Sequence, residues 1–324
     1  MKRALLIGIN EYPDEYKLTG CIEDIDNLAD AIEYNGNKEK NFDIKKLSNI
    51  QSSPEAMTNI KRLFHDDIDV ALLYFSGHGH INASGGQLVF PEDVNNNDSC
   101  GIKMHDIMNI VNNSKVKNKI IILDCCHSGD IGNYNDLDDT CLLSSGTSIL
   151  SACRKEENAM EIEGHGVFTK LLCTALKGGA ADFSGNITIG GIYAYIDRSL
   201  GAWQQRPVFK TNVTEFIPLK TVIPKISDAE IKKLIELFAN PETELPLDPS
   251  FEYTNDPSIE HIIVKPYADK NNVEKFKILQ KLESIGFVEP INEEHMYFAA
   301  MNSQKCKLTE LGKFYWKLVE DKRI

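Results

Sequence analysis

The chain has 324 residues, of which 42% are hydrophobic and 26% charged, and its formal net charge is −13. This composition is typical of a globular protein, and the negative charge argues against a general affinity for nucleic acid or acidic membranes. No apolar run approaches the roughly 20 residues of a membrane-spanning helix. The first stretch, "MKRALLIGIN", is too short an apolar run for a signal peptide and lacks a cleavage site, so we predict a cytoplasmic protein.

The 8 cysteines occur at irregular spacings, and several lie inside apolar segments, such as Cys21, Cys153 and Cys173. In a reducing compartment these are most simply buried thiols, so no disulfide framework is predicted. The acidic charge suits a basic ligand or a basic peptide.

Strand patterns alternate with helical patterns through about residue 220. The predicted strands, in chain order, are "RALLIGIN", "FDIKKLS", "VALLYFSGHGH", "KIIILDCC", "TSILSAC" and "RPVFKTN". Helices are predicted within "LTGCIEDIDNLADAIEYNG", "SPEAMTNIKRLFHD", "IKMHDIMNIVNNS" and "GVFTKLLCTALKG". The first of these is expected to stop at Gly36, and the second to start with Ser53 as N-cap and Pro54 at its first position. Such alternation predicts an α/β fold with a parallel sheet and helices on both faces.

Histidine, cysteine and serine residues are concentrated directly after two of these strands. "VALLYFS" runs into "GHGH", and "IIILD" runs into "CCHSG". In parallel α/β sheets, sites gather beyond the carboxyl ends of the strands, so we expect these two stretches to meet there.

A cysteine needs a base to become a thiolate, and His78 is positioned to serve as one for a cysteine on a neighbouring strand. Side chains alternate along a strand, which places Asp124 and Cys126 on one face and Cys125 on the other. The N–H groups of Gly79 and Cys126 are the expected oxyanion donors. Two other interpretations stay open: a structural thiol beside an ordinary hydrogen-bonded histidine, or a metal site.

The metal interpretation would use His78, His80, Cys126 and His127. No regular Cys-x-x-Cys or His-x-x-x-His spacing supports zinc there, so no metal ligand is predicted.

Two motifs carry a family resemblance. "YFSGHGH", followed about fifty residues later by "ILDCCHSGD", resembles the caspase–hemoglobinase clan and, within it, the metacaspases. "LTGCIEDIDNL" is similar to the start of a family helix, and "SILSAC" with "GHGVFTKLLCTAL" is similar to the small-subunit segment, so the resemblance covers residues 2–212. It implies a caspase-like three-layer sandwich with a mostly parallel sheet. It also implies His78 as base, Cys126 as nucleophile, and Gly79 and Cys126 as oxyanion donors.

The resemblance also bears on specificity. Caspases proper cleave after aspartate with arginines and a glutamine, but Leu18 and Asp124 stand at those positions here. Metacaspases place carboxylates around the P1 side chain, and Asp24 and Asp124 match them. Two carboxylates favour Arg or Lys at P1; the alternative is that Asp24 caps a helix and Asp124 holds a loop. Ser151 and Ala152 are expected to border the same pocket.

Calcium is a further expectation taken from the resemblance, because some metacaspases bind it with an acidic cluster. The chain offers "DLDD" (Asp136, Asp138 and Asp139) and a single Asp106 after His105. A solvated acidic loop is the favoured interpretation, so no cofactor is predicted.

The composition changes after residue 220, which divides the chain into a peptidase-like domain, 1–220, and a second domain, 221–324. The second part begins with the amphipathic "SDAEIKKLIELF" and ends with "NVEKFKILQKLESIG", a hairpin-like "MYFAAMNSQKCKLT" and "ELGKFYWKLVEDK". This order resembles a small α+β winged-helix-like domain. It carries no basic stripe, so a regulatory or interaction module contacting a protein or ligand activator is predicted, with nucleic acid disfavoured.

The predicted function is a cysteine endopeptidase with Arg/Lys preference, acting on protein or peptide substrates through a Cys–His dyad. If the resemblance extends to biology, the setting is prokaryotic antiviral defence, cell death or signalling. The alternatives are a catalytically silent caspase-fold scaffold and a winged-helix regulator. The stretch 127–153 contains neither Lys nor Arg, which predicts an enzyme that works as an uncleaved single chain.

Overall fold

The computed structural model describes residues 1–82, 85–94, 101–125, 133–134, 137–152, 161–162, 165–200, 206–214, 216–259 and 263–324. The chain divides into two compact units, Met1–Ile223 and Pro224–Ile324. The boundary therefore lies a few residues after the predicted position at 220/221. No helix in these ranges is long and apolar enough to cross a membrane.

The first unit alternates strands and helices. Its strands are β1 (Lys2–Gly8), β2 (Asp43–Ser48), β3 (Val70–Ser76), β4 (Gly79–Asn82), β5 (Gly85–Leu88), β6 (Ile102–Lys103), β7 (Asn118–Asp124), β8 (Asn133–Tyr134), β9 (Leu137–Cys141), β10 (Thr147–Ser151), β11 (Glu161–Ile162), β12 (His165–Gly166), β13 (Asn186–Thr188), β14 (Val208–Asn212) and β15 (Pro218–Thr221). Its helices are α1 (Cys21–Ile32), α2 (Ser53–His65), α3 (Met104–Asn112), α4 (Val167–Thr174), which continues into a π-helical turn at Ala175–Gly179, and α5 (Ile189–Leu200).

Six of the described strands form one sheet in the order β14–β10–β7–β3–β1–β2. Five run parallel, and β14 pairs antiparallel with β10 at one edge. The predicted mostly parallel sheet is confirmed.

The sheet is covered on both faces because its central strands are apolar on both. Tyr74 and Ile122 face one core with α1, α4 and α5, whereas Phe75 and Leu123 face the other core with α2 and α3. The alternation of neighbouring residues between two cores is the two-residue period of a strand. This three-layer arrangement was also predicted.

The register of β3 and β7 sets the position of the site. Phe75 lies opposite Leu123, and Ser76 lies opposite Asp124. The chain therefore leaves the sheet after Ser76 and after Asp124 at the same level, beyond the carboxyl ends of the two strands. The sequence predicted this.

Two predicted helix boundaries are wrong. α1 ends at Ile32 and not at Gly36; the chain at Gly36 instead passes so close to β15 that a Cβ there would lie 2.8 Å from Val222. Ser52 and not Ser53 is the N-cap of α2, and the Ser53 hydroxyl donates to Asp93. In both cases the predicted boundary residue makes a contact distant in sequence, which the local pattern does not reveal.

The second unit contains a three-stranded antiparallel sheet with short helices around it. Its strands are β16 (Glu244–Pro246), β17 (Val288–Ile291) and β18 (Lys305–Leu308), in the order β16–β18–β17. Its helices are α6 (Asp228–Ile231), α7 (Leu234–Leu237), α8 (Lys270–Ser284), α9 (Met296–Met301) and α10 (Glu310–Glu320).

Two predictions for this unit are wrong. The single helix expected in "SDAEIKKLIELF" is broken into α6 and α7. The segment expected to form a hairpin begins instead with α9, which buries Met296, Ala299 and Ala300 on one face, and only its second half is the strand β18. The winged-helix interpretation stays a prediction.

Candidate active site

His78 lies two residues beyond the carboxyl end of β3, which ends at Ser76. Its Nε2 lies 2.7 Å from the backbone carbonyl oxygen of Tyr16. Because a carbonyl can only accept, we assign the proton of the neutral imidazole to Nε2, which leaves Nδ1 as the basic nitrogen. One backbone contact thus orients the ring and selects the tautomer that a general base needs.

A second contact to His78 comes from Tyr12, which the sequence analysis missed. The Tyr12 hydroxyl lies 3.0 Å from the His78 backbone N and 3.0 Å from the Val89 carbonyl oxygen. The two rings meet edge to face, with centroids 4.5 Å apart. Tyr12 follows β1 in an irregular segment, where no periodicity marks it; only the folded chain brings it to His78.

Gly79 opens β4, directly after His78. Val89 donates its backbone N–H to the His78 carbonyl, so His78 and Val89 form a hydrogen-bonded pair. Pair types alternate along an antiparallel ladder, and the next pair, Gly79 opposite Leu88, is therefore of the other type. The N–H of Gly79 consequently points away from β5, which is the orientation that an oxyanion donor requires.

Of the two adjacent cysteines, the structure describes Cys125 only. Cys125 is 2% exposed and packs in the core beneath α2 and α3. Asp124, its neighbour, belongs to the opposite face of the sheet, next to Thr169. Cys126 lies outside the described residues, as does His127, so its role as nucleophile stays a prediction. His80 is exposed.

The two predicted specificity carboxylates belong to one buried network. Asp24, in the first turn of α1, accepts a hydrogen bond from the Ser76 hydroxyl at 2.9 Å, and Asp124 accepts one from the Thr169 hydroxyl at 2.6 Å. Because Thr169 donates to Asp124, the Tyr74 hydroxyl 2.6 Å away must donate to Thr169. Asp24 and Asp124 are 6% and 7% exposed.

Tyr74 connects the two halves of this network electrostatically. Burial, and then the charges of Asp124 and Asp24, hold the pKa of Tyr74 well above its usual range. The tyrosine therefore stays neutral and remains a donor. The two carboxylates place two negative charges near one hydroxyl, at the carboxyl ends of β3 and β7.

A cavity of about 290 Å³ opens between α1 and α4 beside this network. Its lining residues are Glu23, Asp24, Asn27, Thr169, Lys170, Cys173, Thr174 and Lys177. Asp24 and Thr169 thus border both the network and a space open to solvent.

Comparison with known proteins identifies the family. Residues 1–217 match the Peptidase_C14 family model, described as "Caspase domain". The chain belongs to the caspase-domain peptidases. The matched region is the first unit, and the second unit lies outside it.

Two curated relatives of this caspase domain are plant metacaspases. Metacaspase-4 of Arabidopsis thaliana is 26% identical over 195 residues, which cover 55% of this chain and 44% of that protein. Metacaspase-6 of the same plant is 30% identical over 150 residues, covering 40% of this chain and 39% of that protein. The chain thus spans about two fifths of the length of these relatives.

A solved structure supports the fold assignment. Caspase-1 from Spodoptera frugiperda is 14% identical, with a TM-score of 0.50, over 68% of this chain and 90% of that chain. At this identity the likeness shows the fold alone. The predicted caspase-like fold is confirmed.

Three cysteines of the caspase domain are buried in its core. Cys21, Cys125 and Cys173 are buried cysteines that form no disulfide. Burial raises the pKa of Cys173 to about 12, so this thiol stays protonated at neutral pH. In the second unit, burial likewise raises the pKa of Cys306 to about 12.

Ser151 is the last residue of β10 and Ala152 follows it, beside the carboxyl end of β7. Both side chains are fully buried, and the Ala152 N–H donates to the Leu123 carbonyl at 2.9 Å. The structure thus places them near Asp124 in the sheet, and their role as a border of the P1 pocket stays a prediction.

Calcium was a weaker expectation. The side chains of Asp136, Asp138 and Asp139 lie outside the described residues. Asp106 is an exposed single carboxylate in the first turn of α3, and within the described ranges no three His, Cys, Asp or Glu residues are grouped to hold a metal ion. Calcium takes six to eight oxygen ligands, so Asp106 by itself forms no calcium site. The interpretation of the other three aspartates as a solvated acidic loop stays a prediction.

Proposed function

We propose that this chain is a cysteine endopeptidase that hydrolyses peptide bonds after Arg or Lys. The observation that carries the proposal is the hydrogen bond from His78 Nε2 to the Tyr16 carbonyl, which leaves Nδ1 as a base. That base follows the carboxyl end of β3, and Cys126 follows the carboxyl end of β7, the neighbouring parallel strand. Membership of the caspase-domain family supports the same reaction.

In the proposed reaction, His78 Nδ1 takes the proton of the Cys126 thiol, and the thiolate attacks the scissile carbonyl carbon. The oxyanion accepts hydrogen bonds from the N–H groups of Gly79 and Cys126. The protonated imidazole then gives its proton to the leaving amine, and a thioester remains. Water, deprotonated by Nδ1, attacks the thioester and releases the acid, and the proton returns to the thiolate.

The proposed P1 preference rests on the buried network. Asp24 and Asp124 are held by Ser76 and Thr169, so their oxygens are fixed before substrate arrives. A guanidinium or ammonium group pairs with such carboxylates, whereas an acidic P1 side chain is repelled. We further propose a cytoplasmic enzyme in defence, cell-death or signalling proteolysis, with the second unit receiving an activating protein or ligand.

The test uses the full chain and a fluorogenic peptide with Arg at P1, with and without calcium. We expect hydrolysis by the wild type and none by Cys126→Ala. A chloromethyl ketone with a basic P1 group should label the wild type at Cys126, as read by peptide mass. Equal hydrolysis by both proteins, or labelling at another cysteine, would contradict the proposal.

A further inference from the structure

Tyr12 occupies an unusual place in the backbone hydrogen bonding beside His78. Two residues that form a hydrogen-bonded pair in an antiparallel ladder normally exchange two N–H to carbonyl bonds. Between His78 and Val89 one bond is direct, from the Val89 N–H to the His78 carbonyl at 3.0 Å. The other passes through Tyr12, whose hydroxyl accepts from the His78 N–H and donates to the Val89 carbonyl, each at 3.0 Å. A side-chain hydroxyl thus replaces one rung of the ladder.

The inserted hydroxyl fixes both the backbone and the ring of His78. The backbone N–H is bound on one side, and the Tyr12 ring packs against the imidazole at 4.5 Å with an interplanar angle of 64°. Tyr12 is only 2% exposed. Burial raises the pKa of Tyr12 well above its usual range, so the hydroxyl keeps the proton that it donates to Val89.

Gly77, the first glycine of "SGHG", leaves the space that this arrangement needs. A Cβ at Gly77 would lie 2.6 Å from the Tyr12 hydroxyl oxygen and 2.9 Å from Cζ of Phe75. Real Cβ atoms essentially never approach so closely, so an alanine there would displace the hydroxyl. The glycine and the tyrosine therefore act as a pair.

We propose that Tyr12 is a positioning residue for His78, with Gly77 as the residue that admits its hydroxyl. The inference rests on the proposed peptidase function. The Tyr16 carbonyl holds Nε2 at one end of the imidazole, and Tyr12 holds the backbone and one ring edge at the other. Together these contacts hold the imidazole, and with it Nδ1, in one orientation.

The first test replaces Tyr12 by Phe, which removes the hydroxyl and keeps the ring. We expect kcat per titrated active site to fall roughly 10- to 100-fold, because misplacing a reacting group by an ångström costs about that much. KM should change less than about twofold, because substrate contacts stay. The matched control is Tyr193→Phe, a half-buried tyrosine stacked on Phe209 in the same unit, which should keep wild-type kcat.

The second test is a double-mutant cycle. Gly77→Ala alone should lower kcat at least as much as Tyr12→Phe does, because its Cβ would meet both the Tyr12 hydroxyl and Phe75. In the Tyr12→Phe protein the same change should cost less than in the wild type, because the contact with the hydroxyl is gone while that with Phe75 stays. Full additivity of the two losses, or wild-type kcat in Tyr12→Phe, would overturn the inference.

A third measurement does not depend on activity. In full-length Cys126→Ala protein, adding Tyr12→Phe should speed hydrogen exchange of the His78 amide by at least about tenfold, because its acceptor is lost. Unchanged exchange would overturn the inference even if the peptidase were inactive. An inactive wild type whose His78 amide loses protection as expected would instead refute the proposed function alone.

Discussion

Asp124→Asn separates the charge of the proposed P1 site from its architecture. Asn has the shape of Asp, and its carbonyl oxygen can accept the Thr169 hydroxyl that now lies 2.6 Å from the carboxylate. The hydrogen bond from Tyr74 to Thr169 can also stay. We therefore expect the variant to fold and to lose preference for a charged P1 side chain.

The size of the loss follows from the burial of Asp124. A hydrogen bond to a charged group contributes about 1.5–3 kcal/mol, and Asp124 is only 7% exposed, so solvent screens it little. A loss of about 2 kcal/mol corresponds to roughly 30-fold in kcat/KM for an Arg substrate. Citrulline has the shape of Arg without its charge. For a peptide with citrulline at P1, Asp124→Asn should therefore lower kcat/KM much less.

The assay compares kcat/KM for Arg and citrulline peptides in the wild type and in Asp124→Asn. Thr169→Val is the matched control, because it keeps the charge of Asp124 and removes the hydrogen bond from the Thr169 hydroxyl. That control should cost about 2 kcal/mol of unfolding free energy and a smaller part of the Arg preference. An unchanged ratio of Arg to citrulline cleavage in Asp124→Asn would refute the reasoning, as would faster cleavage after Asp than after Arg by the wild type.

Three further outcomes are expected. Cys125→Ser should retain much of the peptidase activity and covalent labelling that Cys126→Ala abolishes; equal loss in two folded variants would contradict the assignment. Active enzyme followed by mass should show no cysteine-dependent cut within 127–153 that is needed for activity. Hydrogen bonds from Lys281 and the helix cap lower the pKa of Glu230 from 4.5 to about 2, so its stabilisation is complete above about pH 4.5 and lost as pH falls towards 2. The protection factors of the α6 amides, corrected for the intrinsic exchange rate at each pH, should therefore fall less over that range in Glu230→Gln than in the wild type.

The strands, and the position of the candidate site at their carboxyl ends, could be predicted because the sequence patterns that indicate them are local. The apolar runs before Ser76 and Asp124 have the length and composition of buried strands, and parallel pairing brings their ends together. The opposite placement of Asp124 and Cys125 likewise followed from the two-residue period alone.

Other features depend on contacts that no local pattern encodes. Thr169 lies in an apolar helical pattern and looks like a core residue, yet its hydroxyl holds Asp124. α5 was not predicted, because Gly190 and Gly191 lower the helix propensity of its first turn. In α9 two aromatic residues favour a strand, whereas burial of Ala299 and Ala300 on one face favours the helix that forms.

The hydroxyl network has a consequence for the chain during its synthesis. Asp124 and Thr169 are 45 residues apart in the sequence, and a ribosome adding about 5–20 residues per second needs roughly 2–9 seconds to cover that distance. During that interval α1, β3 and β7 have been made, but Asp124 lacks the hydroxyl that will hold it. A nascent chain that already contains His78 and Cys126 therefore lacks the finished network that we propose to bind a basic side chain. The order of the elements along the gene thus delays completion of the proposed P1 site until the ribosome has passed α4.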